Sequence, residues 1–208
     1  MNKVEVFDQN SQEYDQWFDS HPVWFQSELN ALDKVVPYTG YGLEIGIGTG
    51  RFAEKCAINR GIDPSENMAR IAEQRGTKTF LAKAENLPFL SETFDFAVMI
   101  TTVCFLDDIQ QAFRETARVL KKNGKFIIGM IDKGSPLGQK YQQNKEDNPF
   151  YRDAHFHSVR EITEYLGNMG FGDLEYWQTL VTASEKEPEE PQHGYGEGGF
   201  VVIKAVLQ

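Results

Sequence analysis

The chain has 208 residues, 40% of them hydrophobic and 25% charged, a composition typical of a folded globular protein and unlike that of a disordered one. Its formal net charge of −10 repels phosphate backbones and anionic lipid surfaces, so we expect no nucleic acid as a substrate. Without an apolar run of about 18 residues or the core of a secretory signal, residues 1–208 are expected to form one cytoplasmic domain that does not insert into a membrane.

The two cysteines, Cys56 and Cys104, lie far apart and form no Cys-x-x-Cys pair. This spacing predicts neither a disulfide framework nor a zinc site, and we expect buried thiols and no bound metal. His155 and His157 have no third ligand at evident metal-binding spacing, which favours a surface or packing role for both.

The predicted elements begin with an N-terminal helical lid over residues 1–37. Aromatic side chains recur between residues 12 and 36, on helices that break near Pro22 because proline cannot continue a helix. Tyr14, Trp17 and Phe18 lie on this segment. Packing between the helices and contact with a ligand beneath them are both compatible with these three aromatic residues.

From residue 38 to residue 132, short apolar runs alternate with longer amphipathic ones, which is the pattern of βαβ units around a parallel sheet. The almost wholly apolar run 94–100 is typical of a central strand buried on both faces. Ser65 is expected to cap one helix, and Asn123-Gly124 to end another. The predicted strands are 43–45, 58–62, 77–82, 94–100 and 125–131, with helices over 51–57, 65–75 and 109–120.

Residues 133–208 are predicted to form the remaining helices and a C-terminal strand pair. A polar segment at 140–147 precedes a helix over 159–169 and two strands, 174–182 and 199–207. The long connection between these strands indicates an antiparallel pair at the sheet edge. The predicted fold is α/β: a doubly wound, Rossmann-like, seven-stranded sheet that is mostly parallel, with an antiparallel C-terminal edge hairpin and helices on both faces.

The string LEIGIGTGRF places Glu44, Gly46, Gly48 and Gly50 between the first strand and its helix. Glycines there let the backbone approach a ligand closely and present N–H groups to it, although a tight turn alone also needs glycine. The third glycine falls one place earlier than in the dinucleotide fingerprint G-x-G-x-x-G, and no Gly-Lys-Ser or Gly-Lys-Thr follows. The spacing therefore disfavours both NAD and a P-loop nucleotide.

Asp63 ends the second predicted strand. An acidic side chain at that position can accept hydrogen bonds from both hydroxyls of a ribose, although Asp63 could also cap a helix or begin a turn before Pro64. The glycine loop and the strand-end acid together predict a nucleotide-type ligand at the carboxyl end of the sheet.

Five strings occur in order along residues 38–132: LEIGIGTGRF, GIDPSENM, AENLPF, FDFAVM and RVLKKNGKFIIG. Over about half of the chain, this set resembles the class I S-adenosylmethionine-dependent methyltransferases, particularly the group similar to quinone-biosynthesis C-methyltransferases. The resemblance implies that S-adenosylmethionine is the cofactor. It also implies that Glu44 holds the methionine amino group, that Gly46 and Gly48 pack against the methionine moiety, and that Asp63 binds the ribose.

The resemblance implies an adenine site as well. Pro64 matches the residue that contacts the adenine ring, and Ala84 and Glu85 match the segment along its edge. Many members of the family have an acidic residue where this chain has Lys83, and a lysine cannot accept a hydrogen bond from the adenine amino group. Adenine would then depend on the backbone at Ala84 or on Glu85.

The implied reaction is transfer of a methyl group to a nitrogen, oxygen or carbon atom of a small molecule by in-line displacement, with no covalent nucleophile on the protein. Thr101 matches a position at the end of the fourth strand, near the methyl group. His155 and Tyr14 are the candidate catalytic side chains if the acceptor must lose a proton. The candidate contacts to the acceptor are Trp17, Phe18, Thr102, Tyr141, Phe156 and Tyr195.

Two other interpretations of the same residues remain open. One is a nucleotide-binding oxidoreductase of related fold, in which the glycine loop would bind a nucleotide cofactor other than S-adenosylmethionine. A non-catalytic protein could retain the S-adenosylmethionine pocket, because methyl transfer has no obligatory catalytic side chain. The sequence does not define the acceptor or the oligomeric state.

Overall fold

A computed structural model describes residues 3–208, so Met1 and Asn2 of the predicted lid lie outside the described residues. The helices are α1 (Lys3–Gln9), α2 (Ser11–Ser20), α3 (Pro22–Asp33), α4 (Arg51–Lys55), α5 (Glu66–Gln74), α6 (Ile109–Val119), α7 (Pro136–Asn144) and α8 (Val159–Asn168). The strands are β1 (Gly42–Ile45), β2 (Arg60–Asp63), β3 (Lys78–Leu81), β4 (Phe94–Ile100), β5 (Leu120–Ile131), β6 (Phe171–Thr179), β7 (Gln192–His193) and β8 (Phe200–Leu207). Short 3-10 turns cover Val103–Phe105 and Lys145–Asp147.

The strands form one sheet in the order β3-β2-β1-β4-β5-β8-β6-β7. β1 to β5 pair in parallel, whereas β8 is antiparallel to both β5 and β6. This arrangement confirms the predicted α/β doubly wound sheet with antiparallel C-terminal strands. The predicted number of seven strands is wrong by one, because β7 is a two-residue strand within the long β6–β8 connection, too short to show an apolar alternation.

Helices cover both faces of the sheet, as predicted. On one face, Phe113 of α6 and Ile162 of α8 are buried against the central strands. On the other face, Leu32 of α3 and Phe52 of α4 are buried in a second apolar cluster. β4 has six buried residues out of seven, because it lies near the middle of the sheet between these two layers.

The boundary between α6 and β5 differs from the prediction. Asn123-Gly124 does not end a helix: α6 ends at Val119, and Leu120 already pairs with Phe94 of β4. Leu120 is drawn into the sheet because its side chain is fully buried there. The register then shifts, and Asn123 lies at a φ of 62° in an irregular stretch of β5.

The N-terminal helices confirm the predicted break, since α2 ends at Ser20 and α3 begins at Pro22. Two ionic contacts hold α2 to the sheet domain: Asp15 binds Arg51 at 2.8 Å and Arg75 at 2.7 Å. Helix α1, which precedes the aromatic part of the predicted helical lid, is held by Asp8, whose carboxylate accepts hydrogen bonds from the Ser65 hydroxyl and the Asn67 backbone N–H.

The C-terminal third also refines the prediction. The polar segment at 140–147 is largely helical, because α7 is capped by Ser135 and extends to Asn144. The helix expected at 159–169 is confirmed as α8, with Ser158 and Glu161 forming a capping box. Across residues 3–208, no helix is both long and apolar enough to cross a membrane.

Candidate cofactor site

The turn after β1 requires glycine at two positions that line a cleft at the carboxyl end of the sheet. Gly46 has a φ of 73°, and a Cβ added there would lie 2.4 Å from the Thr102 side chain. Gly48 has a φ of 54° and faces Tyr14, whose ring would lie 3.6 Å from an added Cβ. Both positions therefore expose backbone to the cleft without a side chain in between.

Gly50 belongs to the same turn but does not line the cleft. Its φ is 81°, and an added Cβ would lie 3.0 Å from Ala72 of α5. Gly50 thus allows α4 to begin close to α5, and the structure gives it a packing role rather than a ligand contact.

Asp63 lies at the end of β2, at the base of the cleft. Its carboxylate accepts hydrogen bonds from the backbone N–H of Gly48 and of Ser65, both at 2.9 Å. Burial raises the pKa of Asp63 to about 6, although these two N–H groups lower it. Each carboxylate oxygen has more than one lone pair, so Asp63 can still accept hydrogen bonds from two ligand hydroxyls.

Glu44 lies on β1 behind the glycine turn, is 1% exposed and is not among the residues that line the cleft. Its Oε2 atom has no hydrogen-bond partner within the described chain. Burial, together with the nearby charge of Asp63, raises the pKa of Glu44 well above its usual value. A buried carboxyl with a free oxygen fits a cationic group at the turn, reached directly or through water.

The cleft is also lined by Lys83 and by the three residues of the predicted adenine site, Pro64, Ala84 and Glu85. Glu85 is engaged elsewhere: its Oε1 accepts the backbone N–H of Asp107 at 2.8 Å. Lys83 is engaged as well, because its ammonium group donates to the Asp107 carboxylate at 2.8 Å. The backbone of Ala84 is therefore the better candidate for reading an adenine edge.

Helix α1 closes one side of the cleft, although none of its residues was predicted from the sequence as a ligand contact. Val4 and Phe7 line the cleft from above, and Lys3 binds Asp107 at 2.8 Å. The spacing of three residues between Val4 and Phe7 would have been the available signal, since such residues share one face of a helix. Further lining residues that the sequence did not indicate are Ile62, Ser65, Met68, Ile100, Phe105, Leu106 and Asp107.

Thr101 and Thr102 follow β4 and line the cleft beside Tyr14. Thr101 has a φ of 50°, a strained conformation for a β-branched residue. A tyrosine hydroxyl is already neutral near pH 7, and burial raises the pKa of Tyr14 further above its usual value. Tyr14 can therefore donate or accept a hydrogen bond there, but it is not an anionic base.

A second depression lies beside α2, and we call it the aromatic groove. Its walls include Trp17, His21, Trp24, Tyr141 and Tyr151. Two predicted acceptor contacts, Trp17 and Tyr141, thus meet there. Tyr14, which lines the cleft, lies three residues before Trp17 on the same lid helix.

The remaining predicted residues lie away from the cleft. Phe18 is buried in the core beside Phe52, and Phe156 is buried in a small cluster with Cys104. Tyr195 is 49% exposed and packs on Tyr176. His155 is exposed, with its ring 4.8 Å from that of His157, so the structure does not bring this candidate base to the cleft.

The cleft has a volume of about 790 Å³, a figure that includes open solvent at its mouth. It opens where the strand order reverses between β1 and β4, the position at which open α/β sheets bind ligands. The buried acid Asp63, the bare glycine backbone and the apolar walls of the cleft fit an adenosyl ligand.

The comparisons with known proteins agree with this geometry. A family model described as a methyltransferase domain matches residues 43–128. An uncharacterized protein of Methanocaldococcus jannaschii is 45% identical over 203 residues, which is 97% of this chain and 98% of that protein. A ubiquinone/menaquinone biosynthesis C-methyltransferase of Rickettsia peacockii is 30% identical over 115 residues, which is 55% of this chain and 42% of that protein.

A crystal structure from Thermotoga maritima gives a likeness over nearly the whole chain. That protein is described as an S-adenosylmethionine-dependent methyltransferase and possible histamine N-methyltransferase. The two structures superimpose with a TM-score of 0.95 at 43% identity, covering 98% of this chain and 99% of the other. Such similarity identifies a methyltransferase, so the oxidoreductase interpretation of the glycine loop is wrong. The chain belongs to the class I S-adenosylmethionine-dependent methyltransferases, and S-adenosylmethionine is its cofactor.

Proposed function

We propose that this enzyme transfers the methyl group of S-adenosylmethionine to a small-molecule acceptor bound beside Tyr14, between the cofactor cleft and the aromatic groove. The observation that carries this proposal is that Tyr14, which lines the cleft, and Trp17, which lines the groove, lie three residues apart on one lid helix, α2. In this proposal, residues 1–208 act as one domain, in which residues 1–37 form the lid and residues 133–208 provide much of the acceptor side.

The proposed cofactor contacts follow from the geometry. Asp63 accepts hydrogen bonds from the ribose hydroxyls, and the Gly46 and Gly48 backbone packs against the methionine part. Glu44 stabilises the methionine ammonium group from behind the turn. Pro64 and the Ala84 backbone hold the adenine ring.

When bound, S-adenosylmethionine supplies an activated methyl group: the acceptor lone pair forms the new bond to the methyl carbon, and the electrons of the broken carbon–sulfur bond remain on sulfur. The protein then has to align the acceptor and exclude water, which is worth roughly 7 to 11 kcal/mol in comparable intramolecular systems. Thr101, Thr102 and Tyr14 surround the cleft near this point and are proposed to position the two reactants.

A small molecule is proposed rather than a macromolecule because the chain is acidic and aromatic side chains line the groove. The formal net charge of −10 opposes nucleic acid as an acceptor. The Thermotoga maritima protein is described as a possible histamine N-methyltransferase, which makes amines one class to test.

Calorimetry with S-adenosylmethionine and S-adenosylhomocysteine tests the cofactor site, and no binding at millimolar concentration would refute it. A screen of small amines, phenols, quinol-like rings and carboxylates, read as release of S-adenosylhomocysteine, tests the reaction. We expect turnover with at least one class. Cofactor binding without turnover of any acceptor would instead support a non-catalytic binding protein.

A further inference from the structure

Glu28 on α3 is a buried carboxyl group whose environment within the protein does not account for it. It is 4% exposed and has no hydrogen-bond or ion-pair partner among residues 3–208. The neighbouring buried residue Ser27 differs, since its hydroxyl donates to the Val23 carbonyl and accepts the Glu189 N–H. An unpaired carboxyl in the interior destabilises the fold, so its presence calls for a role outside the packing of the core.

Glu28 lies near both the cofactor cleft and the aromatic groove, although it lines neither of them. Its charge contributes to raising the pKa of Tyr14 on α2, Tyr141 on α7 and Tyr151 in the segment that follows, in each case after the larger effect of burial. Tyr14 lines the cleft, whereas Tyr141 and Tyr151 line the groove. Trp24, one helical turn before Glu28 on α3, lines the groove as well.

We propose that Glu28 binds a basic nitrogen of the methyl acceptor, which is therefore an organic amine; this inference rests on the proposed function. A carboxylate beside several aromatic rings is a suitable site for an ammonium group, because the ring faces attract cations and the carboxylate neutralises the charge. The site also explains why the acid is retained in the interior.

Burial raises the pKa of Glu28 to about 8, so the carboxyl is largely neutral near pH 7 until a cation pairs with it. The other titratable groups of the groove are His21, Lys140 and Lys145, in addition to the tyrosines. The two lysines repel an ammonium group, and Lys145 is engaged with the Ala154 carbonyl at 3.3 Å. The basic nitrogen is therefore expected on the α3 side of the groove, toward Trp24 and Glu28.

The test uses the full chain loaded with S-adenosylhomocysteine, which prevents turnover. Calorimetry compares two matched pairs of probes, histamine with 4-imidazole-ethanol and tyramine with tyrosol, in which an amine replaces a hydroxyl on the same ring and linker. We expect at least one amine to bind tenfold or more tightly than its alcohol. In Glu28→Gln, the amine affinity should fall at least tenfold, while the affinities for the alcohol and for S-adenosylhomocysteine stay within twofold.

Glu13→Gln is the matched control, because Glu13 is an exposed carboxylate on α2, and it should leave all affinities unchanged. Glu28→Met replaces the glutamine variant if that variant does not fold. Three results would each overturn the inference. They are equal binding of amine and alcohol by the wild-type chain, an amine preference that persists in the Glu28→Gln variant, and no amine binding up to 10 mM.

Failure of this inference is distinguishable from failure of the proposed function. Loss of S-adenosylhomocysteine binding by the wild-type chain would refute the cofactor site itself. Turnover of a phenol, quinol or carboxylate without amine binding would overturn the role of Glu28 and leave methyl transfer to a small molecule intact.

Discussion

Replacing Glu28 with glutamine should stabilise the free protein, and by an amount that grows with pH. Burial raises the pKa of Glu28 from its usual 4.5 to about 8. Between those two pH values the native state keeps the proton, whereas the unfolded state releases it. The free energy of unfolding of the wild-type chain therefore falls as pH rises through this window, because the unfolded state binds fewer protons.

The magnitude follows from the size of the shift. Each pKa unit corresponds to 1.36 kcal/mol, so a shift from 4.5 to about 8 corresponds to about 5 kcal/mol at pH 8 or above. This is a large part of the 5 to 15 kcal/mol that stabilises a typical domain. Glutamine is nearly isosteric with glutamate and does not titrate, so position 28 of the variant does not lower the free energy of unfolding as pH rises.

Urea unfolding of both proteins at pH 5, 6.5 and 8 measures the effect. We expect the stability difference between Glu28→Gln and wild type to be small at pH 5 and to approach about 5 kcal/mol at pH 8. Groups that titrate equally in both proteins cancel in this difference. Glu13→Gln, at an exposed position, should differ from wild type by less than about 0.5 kcal/mol at every pH. A difference for Glu28→Gln that does not change with pH would refute the reasoning.

Three further predictions concern the cofactor cleft. Asp63→Ala should weaken S-adenosylmethionine binding by about 1.5 to 3 kcal/mol, the usual value for hydrogen bonds to a charged group, and unchanged affinity by calorimetry would remove Asp63 from the site. Gly46→Ala should destabilise the fold by about 1 to 3 kcal/mol more than Gly170→Ala in urea unfolding. Both glycines have a positive φ, but only at Gly46 would an added Cβ collide with a side chain. Equal losses of stability in the two variants would contradict this. Asp107→Asn removes the partner of Lys3 on α1 and should speed S-adenosylhomocysteine release up to about fivefold in stopped-flow measurements, since the bridge is half-exposed. Asp95→Asn breaks a comparable bridge to Lys121 away from the cleft and should leave that rate unchanged; equal acceleration by both variants would count against a lid role for α1.

The sequence by itself determined the central sheet and the location of the cofactor cleft. The apolar run of β4, the glycines after β1 and the acid at the end of β2 are local signals, because each depends on backbone geometry or on burial within a few residues. Parallel strands then bring their carboxyl ends to one edge, so Gly46, Gly48 and Asp63 meet without further information.

Only the tertiary structure decided which aromatic and acidic residues face a ligand. The sequence treated Phe18 and Tyr14 alike, yet one lies in the core and the other lines the cleft. Glu28 carries no local signal at all, because its role depends on α2, α3, α7 and the segment around Tyr151 meeting in space. Burial and charge at such a point are sums over residues distant in the chain, and the folded arrangement alone defines them.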